Sequence, residues 1–155
     1  MKSKYTLQLL ACGAVALMLA ACGSQVKIQP DQTLEQMKNK ITFTDQFETL
    51  DESGACRVFG VEEDLVSDCA ALAGSGATAE SLSVWEAKNT DDAQKIEEQL
   101  QTFVDGYIEG YSDYKPEEVP KLESAILSQE GNYVILCISA DNDAAESIVK
   151  QALQA

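Results

Sequence analysis

The run Tyr133-Val134-Ile135-Leu136-Cys137-Ile138 constrains this chain more than any other stretch, because six apolar residues follow one another without a polar interruption. It is much too short to span a bilayer. A strand with one wet face alternates apolar and polar residues, so a strand apolar at every position belongs at the centre of a sheet covered on both sides. Such cover calls for amphipathic helices, and the chain supplies them. Over residues 89–111, Ala93, Ile96, Leu100, Phe103, Val104, Tyr107, Ile108 and Tyr111 form one stripe at three- and four-residue steps. Asn89 or Thr90 can cap this helix. Asp91 and Asp92 then fall in its first turn, where negative charge meets the positive end of the helix dipole, which accounts for both carboxylates without catalysis. Ala144, Ala145, Ile148, Val149, Ala152 and Leu153 recur in pairs, giving a terminal helix capped near Ser139 or Asp141.

The weaker elements fill in around these. Leu34, Met37 and Ile41 predict a helix from Thr33, with Thr33 as N-cap, and Phe43, Phe47 and Leu50 continue its spacing. Residues 51–60 carry turn and short-helix signals, and Val58, Phe59 and Val61 place apolar anchors around Gly60. Residues 69–72 and 81–87 read as strands joined by the flexible connection Gly74-Ser75-Gly76-Ala77-Thr78. Lys115-Pro116-Glu117-Glu118 opens a short helical turn, and residues 124–129 and 133–139 bracket Glu130-Gly131-Asn132 as a hairpin. The expected fold is α+β: an antiparallel four-stranded sheet packed with helices, in the order helix, two strands, long helix, two strands, helix.

The N-terminus carries an address. Lys2 and Lys4 precede an apolar run too short for an ordinary spanning helix, which ends in Leu19-Ala20-Ala21-Cys22. This end resembles the lipobox of bacterial lipoproteins. The resemblance implies signal-peptidase recognition through Leu19, Ala20 and Ala21, cleavage before Cys22, and a diacylglyceryl thioether on the Cys22 thiol. Two acyl chains hold a protein on a membrane where one binds only marginally. Residues 1–21 are thus expected to be a signal peptide, 22–32 the lipidated cysteine and a polar tether, and 33–155 a single domain. Cleavage would leave nine basic against 26 acidic residues, a formal charge of −17. Such a field repels phosphate backbones, so nucleic acid is not an expected partner.

Further along, Lys88-Asn89-Thr90-Asp91-Asp92-Ala93, the aromatic-Lys-Pro stretch Tyr114-Lys115-Pro116 and Gly131-Asn132-Tyr133-Val134 occur in this order. With the lipobox, they resemble a family of small Gram-positive lipoproteins catalogued as domain of unknown function 4358, over roughly residues 33–153. None of these segments is a catalytic motif, and the resemblance implies extent and location without an activity. Cys12 lies in the signal segment, and the three cysteines that follow Cys22, namely Cys56, Cys69 and Cys137, depart from that family's pattern.

The chain contains no histidine, which removes Ser-His-Asp and Cys-His nucleophile pairs and the commonest transition-metal ligand. The acidic pairs Glu62-Glu63, Asp91-Asp92, Glu97-Glu98 and Glu117-Glu118 read as solvated surface. Asp141, Asp143 and Glu146 share one turn but lack the glycine and the distant glutamate of a calcium loop. No motif calls for a metal or a cofactor. Among the remaining cysteines, Cys137 is expected to be a small core residue, while Cys56 and Cys69 form the less buried pair and the candidate disulfide. Tyr107, Tyr111 and Tyr114 follow one another near helical spacing, beside Gly106 and Gly110, and are the candidate contact surface. The functional expectation is a membrane-anchored, extracytoplasmic, non-enzymatic accessory or protein-binding module at the cell envelope, held through Cys22 and meeting an envelope protein. A small-ligand-binding lipoprotein is the alternative, and an enzyme of unfamiliar type the third.

Overall fold

The computed structural model describes residues 27–154. The lipobox residues Leu19, Ala20, Ala21 and Cys22 lie outside the described residues. Five helices and five strands follow in the order α1 (Pro30–Lys38), β1 (Phe47–Leu50), α2 (Glu52–Phe59), β2 (Val66–Gly74), β3 (Ser81–Ala87), α3 (Thr90–Tyr114), α4 (Val119–Glu123), β4 (Ile126–Glu130), β5 (Tyr133–Ile138) and α5 (Asn142–Leu153). Single 3-10 turns at Glu63–Leu65 and Pro116–Glu118 precede β2 and α4.

The strands form one antiparallel sheet in the order β1-β2-β3-β5-β4. The fold is therefore α+β as the sequence predicts, with five strands where it predicts four. The additional strand is β1. Phe47 and Leu50 continue the spacing of the first helix, yet they lie three positions apart in a strand, an odd separation that sends them to opposite faces. Phe47 packs with the α1 side of the sheet and Leu50 with the α3 side. The first helix itself ends at Lys38 and starts at Pro30, with Gln29 as its N-cap in place of Thr33. Proline at the first helical position suits an N–H that has no partner there.

The central run behaves as its composition requires. Along β5, Val134, Leu136 and Ile138 enter one cluster with α2, α3 and α4, while Tyr133, Ile135 and Cys137 enter another with α1 and α5. Every residue of β5 is buried. The sheet is thus covered on both faces, by α2, α3 and α4 on one and by α1 and α5 on the other. Asn89 caps α3, accepting from the Asp92 N–H at 2.9 Å, and Asp141 caps α5, accepting from the Ala144 N–H at 3.0 Å. The residues 51–60 form α2, which Asp51 caps, and Gly60 ends it in the left-handed conformation with φ 71°. No helix among the described residues is long and apolar enough to cross a membrane.

Candidate functional site

The end of the sheet where β2 turns into β3 gathers a cluster of buried polar side chains, Glu80, Ser81 and Glu118. Glu80 is 1 % exposed, although nothing in its sequence surroundings marks it. Its Oε2 accepts from the backbone N–H groups of Thr44 at 2.7 Å and Asp45 at 2.9 Å; its Oε1 accepts from the Thr44 hydroxyl at 2.7 Å and the Lys121 ammonium at 3.1 Å. Lys121 also meets Glu118 Oε2 at 2.8 Å, and that oxygen accepts from the Ala79 N–H at 3.0 Å. Burial pushes the Glu80 carboxyl up, but the Thr44 and Asp45 donors and the Lys121 ammonium outweigh it and hold the group below the usual carboxylate value. Glu118 follows the same balance, burial being outweighed by Lys121 and the Ala79 N–H. Lys121 mirrors them: burial lowers it, and the two carboxylates more than reverse that.

This cluster overturns two expectations. Glu118 is buried and paired, so Glu117-Glu118 is not a solvated pair; only Glu117 faces water. The 74–78 segment is likewise no loose connection. Asp45 accepts from the N–H and hydroxyl of Ser75 at 3.1 and 2.6 Å, and from the N–H and hydroxyl of Thr78 at 3.3 and 2.9 Å. The Tyr111 hydroxyl donates to the Thr78 carbonyl at 2.6 Å, and the Lys115 ammonium to the Ala77 carbonyl. Gly74 is needed at its start: a Cβ there would lie 2.6 Å from the Glu80 carbonyl oxygen. Asp45 and Glu80 have donors on both carboxylate oxygens and Glu118 has them on Oε2, and together they hold the loop against α3 and α4.

Against this loop stands the tyrosine end of α3. Rings run from the core outward: Phe59 to Phe103 at 4.8 Å, Phe103 to Tyr107 at 4.1 Å, Tyr107 to Tyr111 at 5.8 Å and Tyr111 to Tyr114 at 6.3 Å between centroids. Tyr111 is buried and Tyr107 half-buried, so both close the edge of the core. Tyr114 is 75 % exposed. Burial pushes the Tyr111 hydroxyl up to about 12, helped by Tyr107, Glu118 and Asp45. Val58 of α2, 39 % exposed, is the second large apolar side chain open to solvent among the described residues. Val58, Tyr107 and Tyr111 line a cavity of ≈ 30 Å³, together with Gly76 and Ser81. Ser81 is 4 % exposed and its Oγ is the one buried side-chain polar atom without a hydrogen-bond partner among the described residues.

The other candidate residues are placed as follows. Cys56, Cys69 and Cys137 are free thiols. Cys56 on α2 is buried and Cys69 on β2 half-buried against the same cluster, both more open than Cys137, which faces the α1 and α5 side. Burial, then Glu63 and Glu52, push Cys56 to about 11; burial, then Cys56 and nearby acids, push Cys69 to about 12. Asp141 is spent on capping α5 and Glu146 meets Lys150 at 2.7 Å, so neither carboxylate waits for a cation. Among the described residues no group of three or more acidic or cysteine side chains is arranged to hold a metal ion.

The fold and site define a small α+β domain with a tied loop beside an aromatic helix edge. The chain belongs to the family described as Domain of unknown function (DUF4358), whose model matches residues 39–139. All residues of the β2–β3 loop network and of the tyrosine edge fall inside that match, and α1 and α5 fall outside it. No curated protein and no solved structure matches the chain.

Proposed function

We propose that this protein is a lipid-anchored, extracytoplasmic binding module of the cell envelope, without an enzymatic activity of its own, which meets a protein partner through the C-terminal half of α3. The observation that carries the reading is the outward run of rings ending in exposed Tyr114, beside a small cavity that Val58 lines with Tyr107 and Tyr111. Tyrosine offers a large apolar ring with a polar tip and little rotamer entropy to lose, which suits it to interfaces. The loop network makes the surface rigid before any partner arrives, and a preorganised surface spends less free energy on ordering. Against the small-ligand alternative, a cavity of ≈ 30 Å³ lies far below the roughly 300 Å³ at which ligand pockets begin. The grooves of ≈ 220 Å³ between α1 and α5 and ≈ 230 Å³ beside β4 are also smaller than that.

The anchor rests on Leu19-Ala20-Ala21-Cys22. Cys22→Ala is expected to release the protein from the membrane fraction or to stall its processing. A variant that stays lipid-modified and membrane-bound like the parent would overturn the anchor. For the contact surface, a photo-crosslinking residue at position 114 on whole cells is expected to capture one protein, and the same residue at the exposed position 98 on the far part of α3 to capture none. Equal labelling from both positions would reject the surface.

A further inference from the structure

The C-terminal half of α3 combines three features that share one ligand chemistry. At 3.6 residues per turn, Gly106 and Gly110 lie beside Phe103, Tyr107 and Tyr114 on one side, and beside Asp105, Glu109 and Asp113 on the other. The glycines form a bare floor between an aromatic wall and an acidic one, since a Cβ added at either would meet nothing within 4 Å. Glycine inside a helix is less stable than alanine, so two of them here weaken the fold and relieve no clash. Charge is the second feature. The last turn of α3 contains Asp113 and no basic residue, although the negative end of the helix dipole favours a cation there. Around the neighbouring loop the carboxylates of Asp45, Glu80 and Glu118 outnumber the ammonium groups of Lys115 and Lys121.

The third feature is independent of the other two. Ser81 Oγ is buried at the cavity wall with no partner, and leaving a buried hydroxyl unsatisfied destabilises the fold. The cavity of ≈ 30 Å³ has room for one or two groups the size of a water molecule. An ammonium group has that size, and a planar guanidinium does not. Tyrosine faces attract cations, and the surplus carboxylates offset the desolvation of a positive charge.

We propose that this face binds a basic peptide segment of a partner protein, laid across Gly106 and Gly110, with one lysine passing along Tyr107 and its ammonium group donating to Ser81 Oγ. The inference rests on the contact-surface reading of α3 and names the partner's chemistry. A second copy of this chain is a poor occupant, because two domains of charge −17 repel. The test uses the full chain in neutral detergent at low salt, titrated with the blocked tripeptides Ala-Lys-Ala, Ala-Arg-Ala and Ala-norleucine-Ala while amide resonances are followed. The lysine peptide is expected to shift Ser81, Tyr107 and Gly110, with the arginine peptide weaker and the norleucine peptide silent. Ser81→Ala, which removes an unsatisfied group and should fold at least as well, is expected to weaken lysine binding about three- to tenfold, the loss of one hydrogen bond. Gly110→Leu, which fills the floor, is expected to abolish it. Equal responses to the three peptides, shifts confined to other surfaces, or parental affinity in Ser81→Ala would each overturn the proposal. Specific capture from position 114 without lysine preference would overturn this inference and leave the contact surface standing; lysine binding without capture would overturn the contact surface and, with it, the protein partner proposed here.

Discussion

Two buried polar side chains on opposite faces of the sheet, Asn142 and Ser81, meet opposite surroundings. At the start of α5, Asn142 accepts from the Ser139 N–H and hydroxyl at 2.7 and 3.0 Å, and donates to the Lys121 carbonyl and Ser124 hydroxyl at 2.8 and 3.0 Å. Its hydrogen-bonding capacity is used up. Facing α3, Ser81 Oγ has no partner at all. The apolar packing follows the same division. The α1 and α5 face is filled by aliphatic side chains such as Leu72, Leu82, Ile135 and Val149, with the half-buried pair Phe43 and Phe47 at its edge, while the α3 face carries rings outward until Tyr114 stands in solvent. One face finishes the core, and the other is stable yet leaves groups for something else to complete.

The largest expected effect concerns what seats the open face. Lys121→Ala should cost about 3–5 kcal/mol in urea unfolding, because it leaves Glu80 and Glu118 without their shared cation. A cost under about 1 kcal/mol would show that the backbone donors suffice without the ion pair. The same network sets a pH dependence. Asp45, Glu80 and Glu118 have folded values lowered from 3.8, 4.5 and 4.5, so the stability they lend is fully present above those values and is lost as pH falls below them. Parental stability should therefore drop more steeply on acidification than that of Glu80→Gln; parallel curves would remove Glu80 from the account.

Next in size is a staple on the same face. Cys56 and Cys69, which pack into one cluster, are expected to pair by thiol–disulfide exchange with a low-molecular-weight disulfide, two thiols being oxidised as that disulfide is reduced. Cys137, on the opposite face, should stay a thiol. Closing the loop should add about 3 kcal/mol. Mass spectrometry after thiol blocking decides this, and three blocked thiols in the exported protein would reject it. Smaller still are the glycines: Gly106→Ala and Gly110→Ala should each raise stability by about 0.5–1 kcal/mol in thermal unfolding while reducing partner capture. A loss of stability would mean that the floor is already occupied. The smallest effect belongs to Tyr114→Ala, which should move stability by no more than about 0.5 kcal/mol and still lower capture. A large loss of stability with unchanged capture would turn Tyr114 into a core residue and erase the contrast between the faces.

What the sequence by itself determined is the set of elements whose local period or cap is strong. The unbroken run of β5, the stripe of α3 with Asn89 before it, the paired apolar residues of α5 and the turn at Gly131 all arise from neighbours within a few positions, so they are legible without the fold. Tyr107, Tyr111 and Tyr114 were visible for the same reason. Only the tertiary structure decided that Phe47 and Leu50 join a strand, because a step of three residues fits a helix face and two faces of a sheet equally well until a partner strand is present. It alone also brought Glu80 to Thr44, Asp45 and Lys121, 36, 35 and 41 positions away, and left Ser81 beside the tyrosine edge without a partner. Contacts across such separations leave no periodic trace in the chain. A carboxylate bound for burial looks the same in sequence as one bound for water, and what divides them is the set of donors that folding delivers.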